Sequence, residues 1–454
     1  MRRALIITYY WPPTGGSGVQ RWLKFSKYLP ENGWQPVIYT PSNPEQLAVD
    51  ESLLEEIPPE AEVLKQPIRE PYAIYHRLAG KRSSKGAGVN PINSQKKNWK
   101  QKLMLWVRSN FFVPDPRAGW VRPSVDFLCR YLKQNPVDVI ITTGPPHSVH
   151  LIGRGVHKIT GVPWVADFRD PWTRMFYFEN LPFLPWVRKR HFALEKAVLD
   201  EADAVISVTP RVRADFVAQT DTPVFLITNG YDESDFAAAL PPRTDGKFRL
   251  VHTGLFASDG NPLELWKALA GLCAESEEFA SRLEIRLAGK VDTEIVEAVR
   301  EAGLGEQLRL LGYLPHPESV AELRQADVIL LPLRHGPEYS KVYPGKIFEC
   351  MAAAAGPSAP CILGIGPEDS AAADLLRATG TGEMIDWTND PAEFIRAAAV
   401  SSSAAGKGQV RTPKKGVRYL HSPSAKPSQE TAAASYSRRE LTSRLVQILS
   451  TIQK

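Results

Sequence analysis

No stretch of this 454-residue chain approaches the roughly 18 uncharged apolar residues that a membrane-crossing helix needs, so any membrane contact is expected from outside. Cysteine is scarce as well: Cys129, Cys273, Cys350 and Cys361 lack paired metal-type spacing, and each lies among apolar residues. That speaks against a disulfide framework and for buried thiols in a reducing, cytoplasmic setting. An excess of one charge is missing too. Against 55 Lys and Arg stand 50 Asp and Glu, and a formal net charge of +5 is too small to argue for nucleic acid. The apolar run Ala4-Leu5-Ile6-Ile7 is cut off by Thr8 and the Pro12-Pro13 pair, too short for a signal peptide, and reads as a buried strand.

What is present is the composition of a soluble globular protein, 43% hydrophobic and 23% charged, in a chain long enough for two or three domains. A strand over 4–8, the loop Pro12-Pro13-Thr14-Gly15-Gly16-Ser17-Gly18, an amphipathic helix over 19–32 stopped by Gly33, and a strand over 36–39 make an opening βαβ unit. The glycine loop lies where open α/β sheets bind ligands, although it is not GxGxxG and also reads as a plain flexible turn. Periodicity weakens over 42–120. Within that span the basic, polar stretch 81–102 reads as a mobile loop, directly followed by Leu103, Met104, Leu105, Trp106, Val107, Phe111, Phe112 and Val113. Basic and large apolar side chains side by side suit a peripheral contact with anionic lipid; a solvated loop before a core helix is the alternative.

A strand over 137–142 leads into Thr143-Gly144-Pro145-Pro146-His147-Ser148, and one over 163–166 delivers Asp167-Phe168-Arg169-Asp170-Pro171-Trp172 to the same sheet edge. Two carboxylates flanking an arginine there orient acceptor hydroxyls or balance phosphate, or else form an ion pair and a helix cap. Further strands fall at 204–208 and 224–227. After Thr228-Asn229-Gly230-Tyr231-Asp232 the composition shifts over 237–245, which sets a boundary between a domain over 1–235 and one over 246–400.

The second domain repeats the rhythm with strands at 249–252, 283–288, 308–311, 328–331 and 361–365. By the switch-point rule its strand-end loops would hold a nucleotide. They carry Thr253 and Gly254, then Lys290, Tyr313, and the stretch Tyr339-Ser340-Lys341-Val342-Tyr343-Pro344-Gly345-Lys346-Ile347-Phe348-Glu349. Pro344-Gly345 running into a helix reads as a turn whose free N–H groups hold an anion, with the Glu349 carboxylate near enough to accept from a vicinal diol. An ordinary helix start with a surface Glu is the plain alternative. Residues 401–435 are Ser, Ala, Gly, Lys and Pro without apolar periodicity, expected as a flexible segment, whereas 436–454 recover helical spacing and should pack back on folded protein.

Jointly, Tyr9-Tyr10-Trp11-Pro12-Pro13 with its glycines, Gly144-Pro145-Pro146-His147, Asp167-Phe168-Arg169-Asp170-Pro171-Trp172, Thr228-Asn229-Gly230-Tyr231-Asp232 and Pro344-Gly345-Lys346-Ile347-Phe348-Glu349 resemble the retaining GT-B glycosyltransferases of family 4, specifically the bacterial surface-polysaccharide branch. The likeness spans nearly the whole chain. It implies an α/β fold of two Rossmann-like doubly wound domains facing a cleft, with the nucleotide sugar on the C-terminal domain and the acceptor on the N-terminal one. It implies no metal and no cofactor beyond the nucleotide-diphosphate sugar as co-substrate. By family position Glu349 holds the ribose, Gly15 and Gly16, with Ser17 beside them, come near the diphosphate, and Tyr339, Ser340, Lys341 and Val342 present amides to the sugar.

Departures accompany the likeness. Lys341 stands where many members carry a first glutamate, His252-Thr253-Gly254 lacks the usual arginine, and Arg169 replaces a common histidine. The expectation is a metal-independent, retaining hexosyltransferase acting in surface polysaccharide or glycolipid assembly, cytoplasmic at the inner membrane face. Lys290 and Lys346 would serve as cations, Asp170 and Arg169 would position the acceptor, and His147 and Asp167 would bind it. Its partners would be a nucleotide-sugar donor and a carbohydrate or lipid-linked acceptor. The alternatives are an inert nucleotide-sugar-binding protein and an epimerase or phosphorylase on the same fold.

Overall fold

The computed structural model describes residues 1–45, 49–68, 99–175, 177–355, 359–405 and 429–452. The basic loop expected over 81–102 therefore lies, up to residue 98, outside the described residues, as do 406–428 of the low-complexity segment. Two units emerge: Met1–Thr228 with Leu441–Lys454, and Asn229–Glu440.

The first unit is one parallel sheet of β1 (Arg2–Ile7), β2 (Trp34–Pro41), β3 (Glu62–Gln66), β4 (Val139–Gly144), β5 (Trp164–Phe168), β6 (Ala204–Ser207) and β7 (Val224–Leu226), in the order β3-β2-β1-β4-β5-β6-β7. Its central strands β4 and β5 are buried along their whole length, because both faces are covered. Alternate residues of β1 go to opposite sides: Leu5 and Ile7 pack with Trp120, Leu128 and Val149, while Ala4 and Ile6 pack with Val19 and Trp22. Leu441, Leu445 and Leu449 of the helix Arg438–Thr451 lie in that second cluster, so the end of the chain completes the core of its beginning.

The second unit repeats the architecture with β8 (Phe248–Thr253), β9 (Leu283–Ala288), β10 (Leu308–Gly312), β11 (Val328–Pro332), β12 (Cys361–Ile365) and β13 (Gly382–Ile385), ordered β10-β9-β8-β11-β12-β13 and parallel throughout. In each sheet the order reverses direction beside the first strand, between β1 and β4 and between β8 and β11, which makes both units doubly wound Rossmann-like domains.

Several expectations shift. The unit boundary comes earlier than 236–245, because Tyr231 N donates to Tyr436 O (3.3 Å), Arg438 N donates to Tyr231 O (2.8 Å) and Asp235 meets His316, all within the second unit. Helix Ala392–Ala405 runs on past residue 400, and Gln429–Ala434 is helical as well. All four cysteines are free thiols, but only Cys350 is fully buried.

Candidate active site

In the first unit the chain leaves β1 through Gly16, which at φ +97° takes a left-handed conformation that suits glycine, and enters helix Ser17–Tyr28 without a side-chain cap. Gly18 is closely packed. A Cβ there would stand 3.0 Å from the Tyr10 ring and 3.3 Å from Arg169 Nη1. Arg169 donates from Nη1 to Gly18 O (2.8 Å), from Nε to Gly144 O (3.3 Å) and from Nη2 to Pro145 O, and its guanidinium lies 5.6 Å from the Tyr10 ring centre. It is thus a strut between the β1 and β4 loops. Burial presses its pKa down, against the pull of Asp170 and Asp167.

Asp167 departs from its expected role of binding an acceptor. It is fully buried, and it accepts from Arg21 Nη2 (2.8 Å) and Nε (3.1 Å), Trp22 Nε1 (2.8 Å) and Thr143 Oγ1 (2.9 Å). Burial alone would raise its pKa, but the Arg21 charge and these hydrogen bonds prevail and hold it below the usual carboxylate value. Arg21 also donates to Thr228 O (2.8 Å) and Ile227 O (2.9 Å), so the network fixes the end of the first unit's chain. Asp170, three residues on, has no hydrogen-bond partner among the described residues, and burial raises its pKa despite Arg169 beside it.

Next to these loops is a cavity of about 220 Å³ whose lining includes Tyr10, His147, Trp172, Tyr177 and His191. The His147 ring lies flat on Trp172, 4.8 Å between centres and 3° between planes, and neither ring nitrogen has a partner. Burial first, then the charges of His150 and Arg169, keep it neutral far below the ordinary histidine pKa. Trp172 Nε1 donates to His191 Nδ1 (3.1 Å), and burial lowers His191 to about 4. Asp115 holds the start of the neighbouring helix Ser148–Thr160 by accepting from Ser148 N and Oγ, both at 2.8 Å.

In the second unit the turns after β8 and β9 touch backbone to backbone. Gly254 (φ +119°) and Gly289 (φ +107°) are both left-handed, and a Cβ on Gly289 would fall 2.2 Å from Gly254 O. The cavity beside them, about 290 Å³, is lined by Gly254, Gly289, Lys290, Tyr313, His316 and Lys346 among others. Lys290 is exposed and has no ion pair among the described residues. Lys346 Nζ donates to Glu349 Oε2 at 2.6 Å, which puts the carboxylate beside the cavity from the first turn of helix Ile347–Ala353. His316 Nε2 is 3.1 Å from Asp235 Oδ2. That bond raises the imidazolium pKa, partial burial opposes it, and nearby Glu349 adds to it.

The structure therefore gathers Gly254, Lys290, Tyr313, Lys346 and, through Lys346, Glu349. Thr253 is not on that wall: its side chain is buried with an unpartnered hydroxyl, because the chain reverses only at Gly254. Nor do Tyr339, Ser340, Lys341, Val342 and Gly345 line the cavity. Sequence reasoning missed Arg21, Tyr177, His191 and His316. Of these only Arg21 carried a signal, as a cation one turn into the helix that follows a glycine loop. Among the described residues no group of three or more His, Cys, Asp or Glu is placed to hold a metal ion.

Residues 94–230 match the family described as a glycosyl transferase 4-like domain. The whole chain resembles solved structures of low sequence identity. Sucrose-phosphate synthase from Thermosynechococcus elongatus is 14% identical, with 100% of this chain and 99% of that one covered and a TM-score of 0.58. UDP-forming α,α-trehalose-phosphate synthase from Burkholderia xenovorans is 14% identical, with 100% of both chains covered and a TM-score of 0.55. WaaG, a glycosyltransferase involved in lipopolysaccharide biosynthesis, is 12% identical, with 98% and 99% covered and a TM-score of 0.53. These likenesses show the fold. No curated protein sequence matches the chain.

Proposed function

We propose that this protein is a glycosyltransferase that moves a hexose-type sugar from a nucleotide-diphosphate donor to a hydroxyl group, with retention, in surface polysaccharide or glycolipid assembly at the inner face of a membrane. The observation that carries the reading is the second unit's cavity at the ends of β8, β9 and β10, where Lys290 and Lys346 meet two glycine turns and Glu349 lies alongside. The match of residues 94–230 to a glycosyl transferase 4-like domain and the fold shared with sucrose-phosphate synthase support it.

The two ammonium groups face the diphosphate, and Glu349 exchanges its Lys346 bond for the ribose hydroxyls. As the bond from the anomeric carbon to the phosphate oxygen breaks, negative charge gathers on the diphosphate, so these cations stabilise the transition state more than the ground state. The acceptor oxygen bonds to the anomeric carbon on the same face, and its proton passes to the departing phosphate oxygen. The acceptor lies in the first unit's cavity, near Asp170 and His147. The lysines do the work a divalent cation would do, so chelation should leave turnover unchanged.

The test is a thermal-shift screen against nucleoside diphosphates, followed by turnover of labelled sugar nucleotides with membrane extract. Lys290→Ala and Glu349→Ala should each lower turnover by at least about tenfold, the scale of one lost charged contact. Unchanged rates in both would remove the site. Donor binding without turnover under any acceptor would make the protein an inert nucleotide-sugar binder.

A further inference from the structure

The first unit has an apolar face that its own core does not use. Along helix Trp99–Phe111, Leu103, Trp106, Val107 and Phe111 recur at helical spacing and are exposed, while Leu105 and Ser109 on the other side are buried. Trp106 and Phe111 are in edge contact, 6.0 Å between ring centres. The end of this helix is bonded to the entry of helix Pro185–Glu201: Asn110 Nδ2 donates to Pro182 O (2.9 Å) and Leu184 N donates to Asn110 Oδ1 (2.7 Å). There Trp186 is 66% exposed and Phe192 42%, so both helices present exposed aromatic side chains.

The charge within residues 99–114 and 185–194 has one sign. Lys102, Lys189 and Arg190 are exposed, and no Asp or Glu occurs over 99–114 or 185–194. Of the carboxylates that flank these segments, Asp115 is bonded to Ser148, Glu195 is buried and bonded to the backbone N–H groups of Trp172 and Thr173, and Glu179 is taken by Arg188 in two bonds of 2.6 and 2.8 Å. Tryptophan and phenylalanine ringed by lysine and arginine are what the headgroup region of an anionic bilayer accepts, apolar rings at the acyl boundary and cations among the phosphates. A protein partner of ordinary surface would match the rings but not two segments, 99–114 and 185–194, that carry Lys and Arg and no Asp or Glu.

We propose that this face, formed by helices Trp99–Phe111 and Pro185–Glu201, docks on an anionic lipid bilayer. It supplies the surface for the membrane contact in the proposed function and rests on that reading for its purpose. The same two segments also wall the first unit's cavity, through Arg108, Ser109 and Phe112 on one side and Leu181, Phe183 and His191 on the other. Docking therefore sets that cavity at the headgroup layer, where an acceptor anchored in lipid presents its hydroxyl.

The full chain is sedimented with vesicles of phosphatidylcholine, with and without phosphatidylglycerol. Binding is expected only with the anionic lipid and should fall as salt is raised. Lys189→Gln with Arg190→Gln should weaken it by on the order of thirtyfold, two cations' worth at a membrane surface. Phe111→Ser with Trp186→Ser should weaken it as well, with the thermal transitions unchanged as a control for folding. No sedimentation, equal binding to neutral vesicles, or binding untouched by both double variants overturns the proposal. So does a dimer in sedimentation velocity that the aromatic variant dissolves, since a second copy would then be the occupant. If vesicle binding fails while nucleoside diphosphates still raise the melting temperature, docking alone is wrong; the reverse pattern sinks the transferase reading alone.

Discussion

Asp167 shows how burial changes what a residue can do. With its two oxygens accepting four hydrogen bonds from Arg21, Trp22 and Thr143, it stabilises the fold only as an anion. Replacing one member of such a pair leaves the other charge buried and uncompensated. Asp167→Asn is therefore expected to cost about 3–5 kcal/mol, read from urea unfolding of the first unit. The buried histidines add to the loss of stability on the acid side. Burial, the main cause in each, lowers His150 to about 3 and His252 to about 4, whereas both protonate near pH 6.5 once unfolded. Between those values the unfolded chain binds more protons than the native one, so stability is full above about pH 6.5 and falls as the pH drops toward 4. In a series of melting curves, His252→Gln should flatten that fall for the second unit. An equally steep loss in the variant would assign the acid sensitivity to other groups.

At the scale of elements, what could be read from the sequence was whatever local pattern decides. The apolar runs of β1, β4, β8 and β11 announce strands buried on both faces, the apolar–polar alternation of β9 announces a strand buried on one, and parallel order then places the glycine loops and Lys290 at carboxyl ends. β3, Glu-Val-Leu-Lys-Gln, is an edge strand with little apolar signal, and β13 is four residues long after a glycine stop, so neither stood out. The roles of Asp167 and Arg169 were illegible for another reason. Their partners Arg21 and Gly18 lie about 150 residues away in sequence, and only the fold brings them together. Turn geometry gives the prediction at this scale. Gly289→Ala adds a Cβ 2.2 Å from Gly254 O at a left-handed φ, so the two turns must separate and the cavity between Lys290 and Lys346 must distort. The nucleoside-diphosphate thermal shift should disappear. Gly271→Ala, inside helix Leu263–Glu275 with open space around it, should instead stabilise by about 0.5–1 kcal/mol and leave the shift intact.

For the molecule as a whole, the chain passes from the first unit to the second at Thr228 and returns at Leu441, so the first unit is built from two stretches of sequence with the whole second unit between them. Leu445 has no exposed surface and packs in the cluster that holds Val19, Trp22 and Ile38. Truncating it leaves a cavity in a core to which residues over 400 positions apart contribute. Leu445→Ala should cost about 2–5 kcal/mol, charged entirely to the first unit. The second unit has its own two-sided core and binds the nucleotide on the present reading, so it should melt as a separate transition. Calorimetry then distinguishes the two: Leu445→Ala lowers one transition, and a nucleoside diphosphate at about a hundred times its dissociation constant raises the other by about 2.7 kcal/mol. A single transition moved by both would mean that the units unfold as one cooperative body. A nucleotide that raised the transition lowered by Leu445→Ala would move the donor site to the N-terminal sheet.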